Sequence, residues 1–77
     1  MIKIYSTSYC GQCKTAKYLL SKKGIPFTER MIDKSEEAEK EYLELQEKHN
    51  LPRLFPTFQK DGKFYTGWGA NVIAKLL

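Results

Sequence analysis

With 77 residues the chain has room for one small domain and no length for a second, so we expect a single domain over residues 1–77. A hydrophobic fraction of 42% is ordinary for a globular protein and argues against disorder, while a net charge of +4 is consistent with an acidic protein partner. The lysines are scattered or paired with glutamates, which argues against a nucleic-acid-binding surface.

The amino-terminal residues and the hydropathy of the chain indicate a cytoplasmic protein. Residues 1–3 lack the long apolar segment of a signal peptide. No apolar stretch approaches the roughly 20 residues needed to span a bilayer, so we expect no membrane contact. Permanent structural disulfides are rare in a reducing cytosol, so Cys10 and Cys13 should serve chemistry or metal binding.

The first half of the chain alternates predicted strands and helices. Residues 2–6 resemble a short buried strand, and apolar positions at helical spacing predict a helix over 11–23. A second strand is expected over 27–32, followed by a capping box at 33–36 and a helix over about 35–49. Because a helix separates the two strands, they should be parallel and joined by a right-handed crossover.

The second half of the chain predicts a hairpin and a closing helix. Strands are expected over 54–59 and 63–66, joined at Asp61-Gly62, since Asp-Gly is a strong hairpin signal. A short helix should follow over 71–77. The predicted order is therefore βαβαββα.

Both cysteines of the chain lie where the first strand gives way to the first helix. A sulfur at the start of a helix is close to unpaired backbone N–H groups and to the positive end of the helix dipole. That position favours the thiolate of Cys10, which is the species that attacks disulfides. Cys13 is one turn further along and can close a small ring with Cys10, so the pattern indicates a dithiol electron carrier.

This arrangement resembles the thioredoxin fold in its smallest form, as in glutaredoxins, over nearly the whole chain. The resemblance implies an α/β protein with a four-stranded mixed sheet and helices on both faces. It also implies that Cys10 is the nucleophile, that Cys13 is the resolving thiol and that the Phe55–Pro56 bond is cis. The motifs that carry it are Cys10-Gly11-Gln12-Cys13, Phe55-Pro56-Thr57-Phe58 and Thr66-Gly67-Trp68.

Within the family the motifs point to a particular branch. Glutaredoxins that use glutathione usually carry Cys-Pro-Tyr-Cys, Thr-Val-Pro and Gly-Gly-x-Asp-Asp, whose acidic pair is absent at 67–71. The segment Thr66-Gly67-Trp68 resembles the Ser-Gly-Phe of redoxins that donate electrons to ribonucleotide reductase and are recharged by thioredoxin reductase. Those redoxins usually continue with Arg-Pro, which this chain lacks.

The resemblance implies a monomeric carrier of electrons to a protein disulfide, with no bound cofactor and no metal. Ribonucleotide reductase is the candidate substrate. We expect recharging by thioredoxin reductase in preference to glutathione, because the carboxylates that bind glutathione are missing.

Several residues around the cysteines have two interpretations. Tyr9 either forms a wall of the substrate groove or covers its own loop, and Arg53 either holds a glutathione carboxylate or is simply solvated. Trp68, between two glycines, is either an interface residue or a partly buried core aromatic. The predicted substrate-binding residues are Tyr9, Gln12, Arg53, Phe55, Pro56, Gly67 and Trp68.

A metal carrier is the alternative function from a different class. Small copper or zinc carriers also place Cys-x-x-Cys between a first strand and a first helix, and two thiolates suit linear Cu(I). Such carriers continue with a hairpin directly after that helix and lack the late proline, which disfavours this alternative here. A dimer sharing an iron–sulfur cluster, as formed by some glutaredoxins, is a third possibility.

Overall fold

Strands and helices follow one another in the predicted order βαβαββα in the computed structural model, which describes residues 2–77. Within those residues no helix is long and apolar enough to cross a membrane. The elements are β1 (Ile2–Ser6), α1 (Gly11–Lys22), β2 (Phe27–Met31), α2 (Glu36–His49), β3 (Thr57–Lys60), β4 (Lys63–Thr66) and α3 (Ala70–Leu76).

The strands form one mixed sheet in the order β2-β1-β3-β4. β1 is parallel to β2, with Ser6 opposite Met31, and antiparallel to β3. β3 and β4 are antiparallel, with Thr57 opposite Thr66. The ends of β1, β2 and β4 and the start of β3 therefore meet at one edge of the sheet. We call this edge, marked by Ser6, Met31, Thr57 and Thr66, the β1 carboxyl edge.

Helices cover both faces of the sheet, as the resemblance implied. On one face α1 and α3 pack over a cluster of buried side chains, and on the other α2 packs over a second cluster. The first cluster comprises Ile2, Ile4, Ala16, Leu20, Phe58 and Leu76. The second comprises Tyr5, Ile32, Ala38 and Tyr42. In the small metal carriers the first helix is followed directly by a hairpin. In this chain α1 is followed by one strand, β2, and then by α2, so its topology differs from that of the metal carriers.

The strand predicted over 54–59 begins only at Thr57, so its first three residues were assigned wrongly. The preceding segment forms hydrogen bonds within itself: the Leu54 N–H donates to the Pro52 carbonyl at 3.0 Å. The Leu54 carbonyl in turn accepts from the Thr57 hydroxyl at 2.5 Å. Pro56 has no N–H to offer to a neighbouring strand, so pairing cannot extend back past it.

The capping of α2 also differs from the predicted box. Ser35 is the N-cap, and its hydroxyl accepts from the Ala38 N–H at 3.2 Å. Asp33, the residue expected to open the box, instead accepts hydrogen bonds from Ser8.

The predicted hairpin turn is confirmed, because Asp61 and Gly62 have φ values of 52° and 78°, as a two-residue hairpin loop requires.

Glu41 joins α2 to the two strands beneath it. Its carboxylate accepts hydrogen bonds from Tyr5 Oη at 3.1 Å, Lys3 Nζ at 3.1 Å and Arg30 Nε at 2.9 Å. Burial opposes ionisation of the carboxyl group, but the hydrogen bonds from Lys3 and Arg30 outweigh it and lower the pKa of Glu41. Burial, together with the charge of Glu41, raises the pKa of Tyr5.

We expect Glu41→Gln to reduce the free energy of unfolding by about 1 kcal/mol at neutral pH, because charge-assisted hydrogen bonds are lost. The pKa of Glu41 is lower in the folded chain than in the unfolded chain. The stabilisation is therefore complete above the ordinary carboxyl pKa of 4.5 and is lost as the pH falls through the lowered value.

Urea unfolding of the wild-type and variant proteins at neutral and acidic pH would measure the difference, which should narrow in acid. Glu44→Gln is the matched control, because Glu44 is an exposed glutamate on the same helix. The control should change stability by no more than about 0.5 kcal/mol. Equal losses in the two variants would contradict the role given to Glu41.

Candidate active site

Cys10 is the N-cap of α1, and Cys13 lies in the first turn of the helix. The Cys10 backbone is extended, with φ −95° and ψ 104°, and its sulfur accepts a hydrogen bond from the Cys13 N–H at 3.1 Å. The two cysteines form a disulfide, with their Cα atoms 5.2 Å apart. Cys13 is buried, with 1% of its surface exposed, whereas Cys10 is partly exposed. A disulfide partner can therefore approach the pair only from the Cys10 side.

The start of α1 is an electropositive environment for the Cys10 sulfur. The first turn of the helix contains no acidic residue. The N–H groups of that turn point toward the cap, and the helix dipole adds positive potential there. An anionic sulfur is stabilised by both, so the geometry supports the thiolate form of Cys10 after reduction of the disulfide.

The loop that carries Cys10 is fastened to the connection between β2 and α2. The Ser8 N–H donates to both oxygens of Asp33 at 3.1 Å, and the Ser8 hydroxyl also donates to this carboxylate. The hydrogen bond from the Ser8 side chain is the main reason why the pKa of Asp33 is lowered. Sequence reasoning missed both residues, because Asp33 matched a helix-capping pattern.

The Phe55–Pro56 peptide bond is cis, as the resemblance implied. Pro56 is buried directly before β3, which runs antiparallel beside β1, so it lies at the β1 carboxyl edge where the Cys10 loop begins. Its carbonyl accepts from the Gly67 N–H at 2.8 Å. Gly67 has φ +81°, a conformation that favours glycine, so the end of β4 is held against Pro56.

Tyr42 of α2 supports the segment before Pro56 from beneath. Its hydroxyl is 2.8 Å from the Thr57 hydroxyl, in a buried hydrogen bond. The same hydroxyl lies within 3.4 Å of the carbonyls of Pro52 and Leu54. The buried hydroxyl of Tyr42 thus ties residues 52–57 to α2.

Arg53 is exposed and forms an ion pair with Glu39 of α2. Its Nη2 donates to both carboxylate oxygens of Glu39 at 2.8 Å, and its Nη1 donates to the Gln46 side chain at 3.2 Å. The guanidinium also lies over the rings of Tyr42 and Phe55, at 5.6 and 5.7 Å from their centroids. The charge of Arg53 is thus compensated within the protein by Glu39.

The other predicted substrate-binding residues differ in exposure. Tyr9 is 92% exposed, so it does not cover its own loop. Gln12 is exposed on the first turn of α1. Trp68 is half-buried against the first cluster, with its ring centroid 5.7 Å from that of Phe58, and the rest of its surface is accessible. The Phe55 ring packs against Tyr42 with centroids 5.1 Å apart.

Comparisons with known proteins agree with this geometry. The family model described as glutaredoxin matches residues 2–64. The glutaredoxin-like protein NrdH of Lactococcus lactis subsp. cremoris (strain MG1363) is 33% identical over 76 residues, which are 99% of each chain. Glutaredoxin 3 of Escherichia coli (strain K12) is 33% identical over 61 residues, covering 79% of this chain and 74% of that protein. The crystal structure of the thioredoxin-like protein BC3987 matches with a TM-score of 0.79 and 22% identity over the full length of both chains.

The structural likeness at 22% identity establishes the fold, a four-stranded mixed sheet with helices on both faces. The family match and the two curated relatives cover most of the chain, including both cysteines and Pro56. Together with a Cys-x-x-Cys disulfide at a helix start, they assign the chemistry at the level of the family. The chain belongs to the glutaredoxin family of thiol-disulfide oxidoreductases.

Proposed function

We propose that the protein is a small dithiol electron carrier that reduces a disulfide of another protein. The observation that carries the proposal is the position of the two sulfurs. Cys10 is partly exposed at the N-cap of α1 and accepts a hydrogen bond from the Cys13 N–H, while Cys13 is buried behind it. The first is thus placed to attack a substrate, and the second to resolve the complex.

The reaction balances as two thiol–disulfide exchanges. The Cys10 thiolate attacks one sulfur of the substrate disulfide, and the other sulfur leaves as a thiolate that takes a proton from water. Cys13 loses its proton and attacks the Cys10 sulfur, which releases the second substrate thiol. Two electrons pass to the substrate, and the carrier is left with the Cys10–Cys13 disulfide seen in the structure.

An extended substrate segment is proposed to lie beside Phe55 and Pro56. The N–H and C=O of Phe55 make no backbone hydrogen bond to other groups among residues 2–77, so they are free to pair with an added strand. Tyr9, on the Cys10 loop, offers an exposed ring as one wall of this groove. Gln12, Gly67 and Trp68 complete the proposed contact region.

Thioredoxin reductase is the proposed source of electrons, in preference to glutathione. The acidic pair of glutathione-dependent glutaredoxins is absent, since positions 69–71 are Gly-Ala-Asn. Arg53, the cation considered for a glutathione carboxylate, already binds Glu39 through two hydrogen bonds of 2.8 Å. A glutathione carboxylate would have to displace Glu39 from this bidentate pair.

Ribonucleotide reductase is the proposed substrate protein. Thr66-Gly67-Trp68 resembles the Ser-Gly-Phe segment of redoxins that donate electrons to that enzyme, and the likeness to the Lactococcus lactis protein over 99% of both chains supports the same branch of the family.

The two cysteines should fail in different ways when replaced by serine. Cys10→Ser should abolish reduction of a disulfide substrate such as insulin, because no nucleophile remains. Cys13→Ser should still attack but should stop at the mixed disulfide, which intact-mass spectrometry would detect as a one-to-one adduct. A Cys10→Ser protein that still reduces insulin would overturn the assignment of the nucleophile.

The Cys13→Ser variant leaves Cys10 as the only thiol, so its thiolate can be followed by absorbance at 240 nm. We expect the thiolate to form at lower pH in the folded protein than in free cysteine, which titrates near pH 8.5. The matched control is the same variant unfolded in guanidinium chloride, where α1 is absent. Equal titration midpoints in the folded and unfolded variant would show that α1 does not stabilise the Cys10 thiolate.

NADPH consumption can distinguish the two sources of electrons. The oxidised protein would be offered thioredoxin reductase in one assay, and glutathione with glutathione reductase in another. We expect the first system to be at least about tenfold faster, a difference worth about 1.4 kcal/mol. The Cys10→Ser protein gives the background of each assay, and faster turnover with glutathione would contradict the proposed route.

A further inference from the structure

Charge is segregated along this chain and, through the fold, between the two faces of the sheet. The first 28 residues contain five lysines and no acidic residue, so all 9 acidic residues follow. On one face, α1 carries three lysines and no acidic residue, and α3 carries one lysine. On the other face, α2 carries six glutamates and two lysines. The face that begins at Cys10 is therefore basic, and the opposite face is acidic.

Part of the positive charge on α1 is uncompensated. Lys17 pairs with Glu29 of β2. Lys14, Lys22 and Lys23 are exposed and take part in none of the ion pairs formed among residues 2–77. Lys14 directly follows Cys13 and is one turn from Cys10, and the other two lie at the far end of the helix.

Exposed aromatic side chains accompany these lysines. Tyr9 and Tyr18 are 92% and 66% exposed, the highest values among the large hydrophobic residues of the described chain. The ammonium group of Lys22 lies over the Tyr18 ring, 5.9 Å from its centroid. Aromatic rings of this kind provide contact area at protein interfaces, so the surface combines cations with apolar contacts.

We propose that the α1 outer face, formed by Tyr9, Lys14, Tyr18 and Lys22, docks an acidic segment of the substrate protein that flanks its disulfide. This inference rests on the proposed function and specifies the chemistry of its partner. The 12 residues of α1 extend about 18 Å, at about 1.5 Å per residue. An extended peptide of about six residues covers that distance, so a short acidic segment beside the reacting cysteine would reach both Lys14 and Lys22, which lie two turns apart on the same side of α1.

A nucleic acid is a poorer match to this surface than an acidic peptide. The glutamates of α2 lie on the opposite side of a protein that measures only 19 Å along its shortest axis. Long polyanions would be repelled by that acidic face, whereas a short segment held at Cys10 would remain on the basic side.

The inference can be tested with two disulfide peptides that differ only in the six residues following the cysteine, glutamates in one and glutamines in the other. Their reduction by the dithiol protein would be followed by stopped-flow methods. We expect the glutamate peptide to react about tenfold faster at low ionic strength, because opposite charges steer association. The advantage should disappear in 0.5 M salt, where the Debye length falls to about 4 Å.

A pair of matched variants locates the effect on the surface. Lys14→Gln with Lys22→Gln should remove most of the preference for the glutamate peptide. Lys40→Gln with Lys48→Gln changes the net charge equally but lies on α2, so the preference should remain. Equal loss in the two double variants would assign the effect to net charge and would overturn the proposal.

The remaining outcomes also decide the question. If both peptides are reduced at equal rates by the wild-type protein at low salt, the docking surface is wrong and the electron carrier stands. If neither is reduced, the proposed function itself fails. If a single-stranded DNA oligonucleotide binds the face, measured by fluorescence anisotropy, while the glutamate peptide has no rate advantage, the surface serves nucleic acid and the proposal is wrong.

Discussion

The hydrogen bond from the Cys13 N–H to the Cys10 sulfur is the contact on which the site depends. It exists because β1 ends and α1 begins within a few residues, so that a side chain in the connecting loop becomes the helix cap. Both flanking elements contribute to the first buried cluster, through Ile2 and Ile4 of β1 and Ala16 and Leu20 of α1. Packing therefore fixes the direction of the helix, and the helix fixes the electrostatic environment of the sulfur.

Contacts between distant parts of the chain then assemble the surroundings of that sulfur at the β1 carboxyl edge. Asp33 holds the Cys10 loop through Ser8, and the Gly67 N–H holds the carbonyl of Pro56. Tyr42 supports the segment before Pro56 from the opposite face of the sheet. Each contact comes from a different element, so the geometry of the site depends on the whole sheet and on α2 as well as on α1.

The order of the elements could be predicted because it depends on local patterns: alternation in the strands, helical spacing in α1 and α2, and the Asp61-Gly62 turn. The predicted strand fails over 54–56 for a local reason, the missing N–H of Pro56, whereas the other differences involve partners that lie far away in the sequence. Asp33 was assigned to a helix cap but binds Ser8, 25 residues earlier. The ion pair of Arg53 could not be predicted, because Glu39 lies 14 residues away on a helix face that only the packing of α2 defines.

The burial of Cys13 has a consequence for how the carrier meets its partners. Since Cys13 is 1% exposed, no macromolecule reaches its sulfur directly, and a disulfide or thiol partner must exchange through the Cys10 sulfur. In the proposed function, the electron donor and the electron acceptor would therefore compete for the same sulfur and could not be engaged at once. Turnover would then alternate between the two, so a carrier of this kind would move from one to the other and would not bridge them in a ternary assembly.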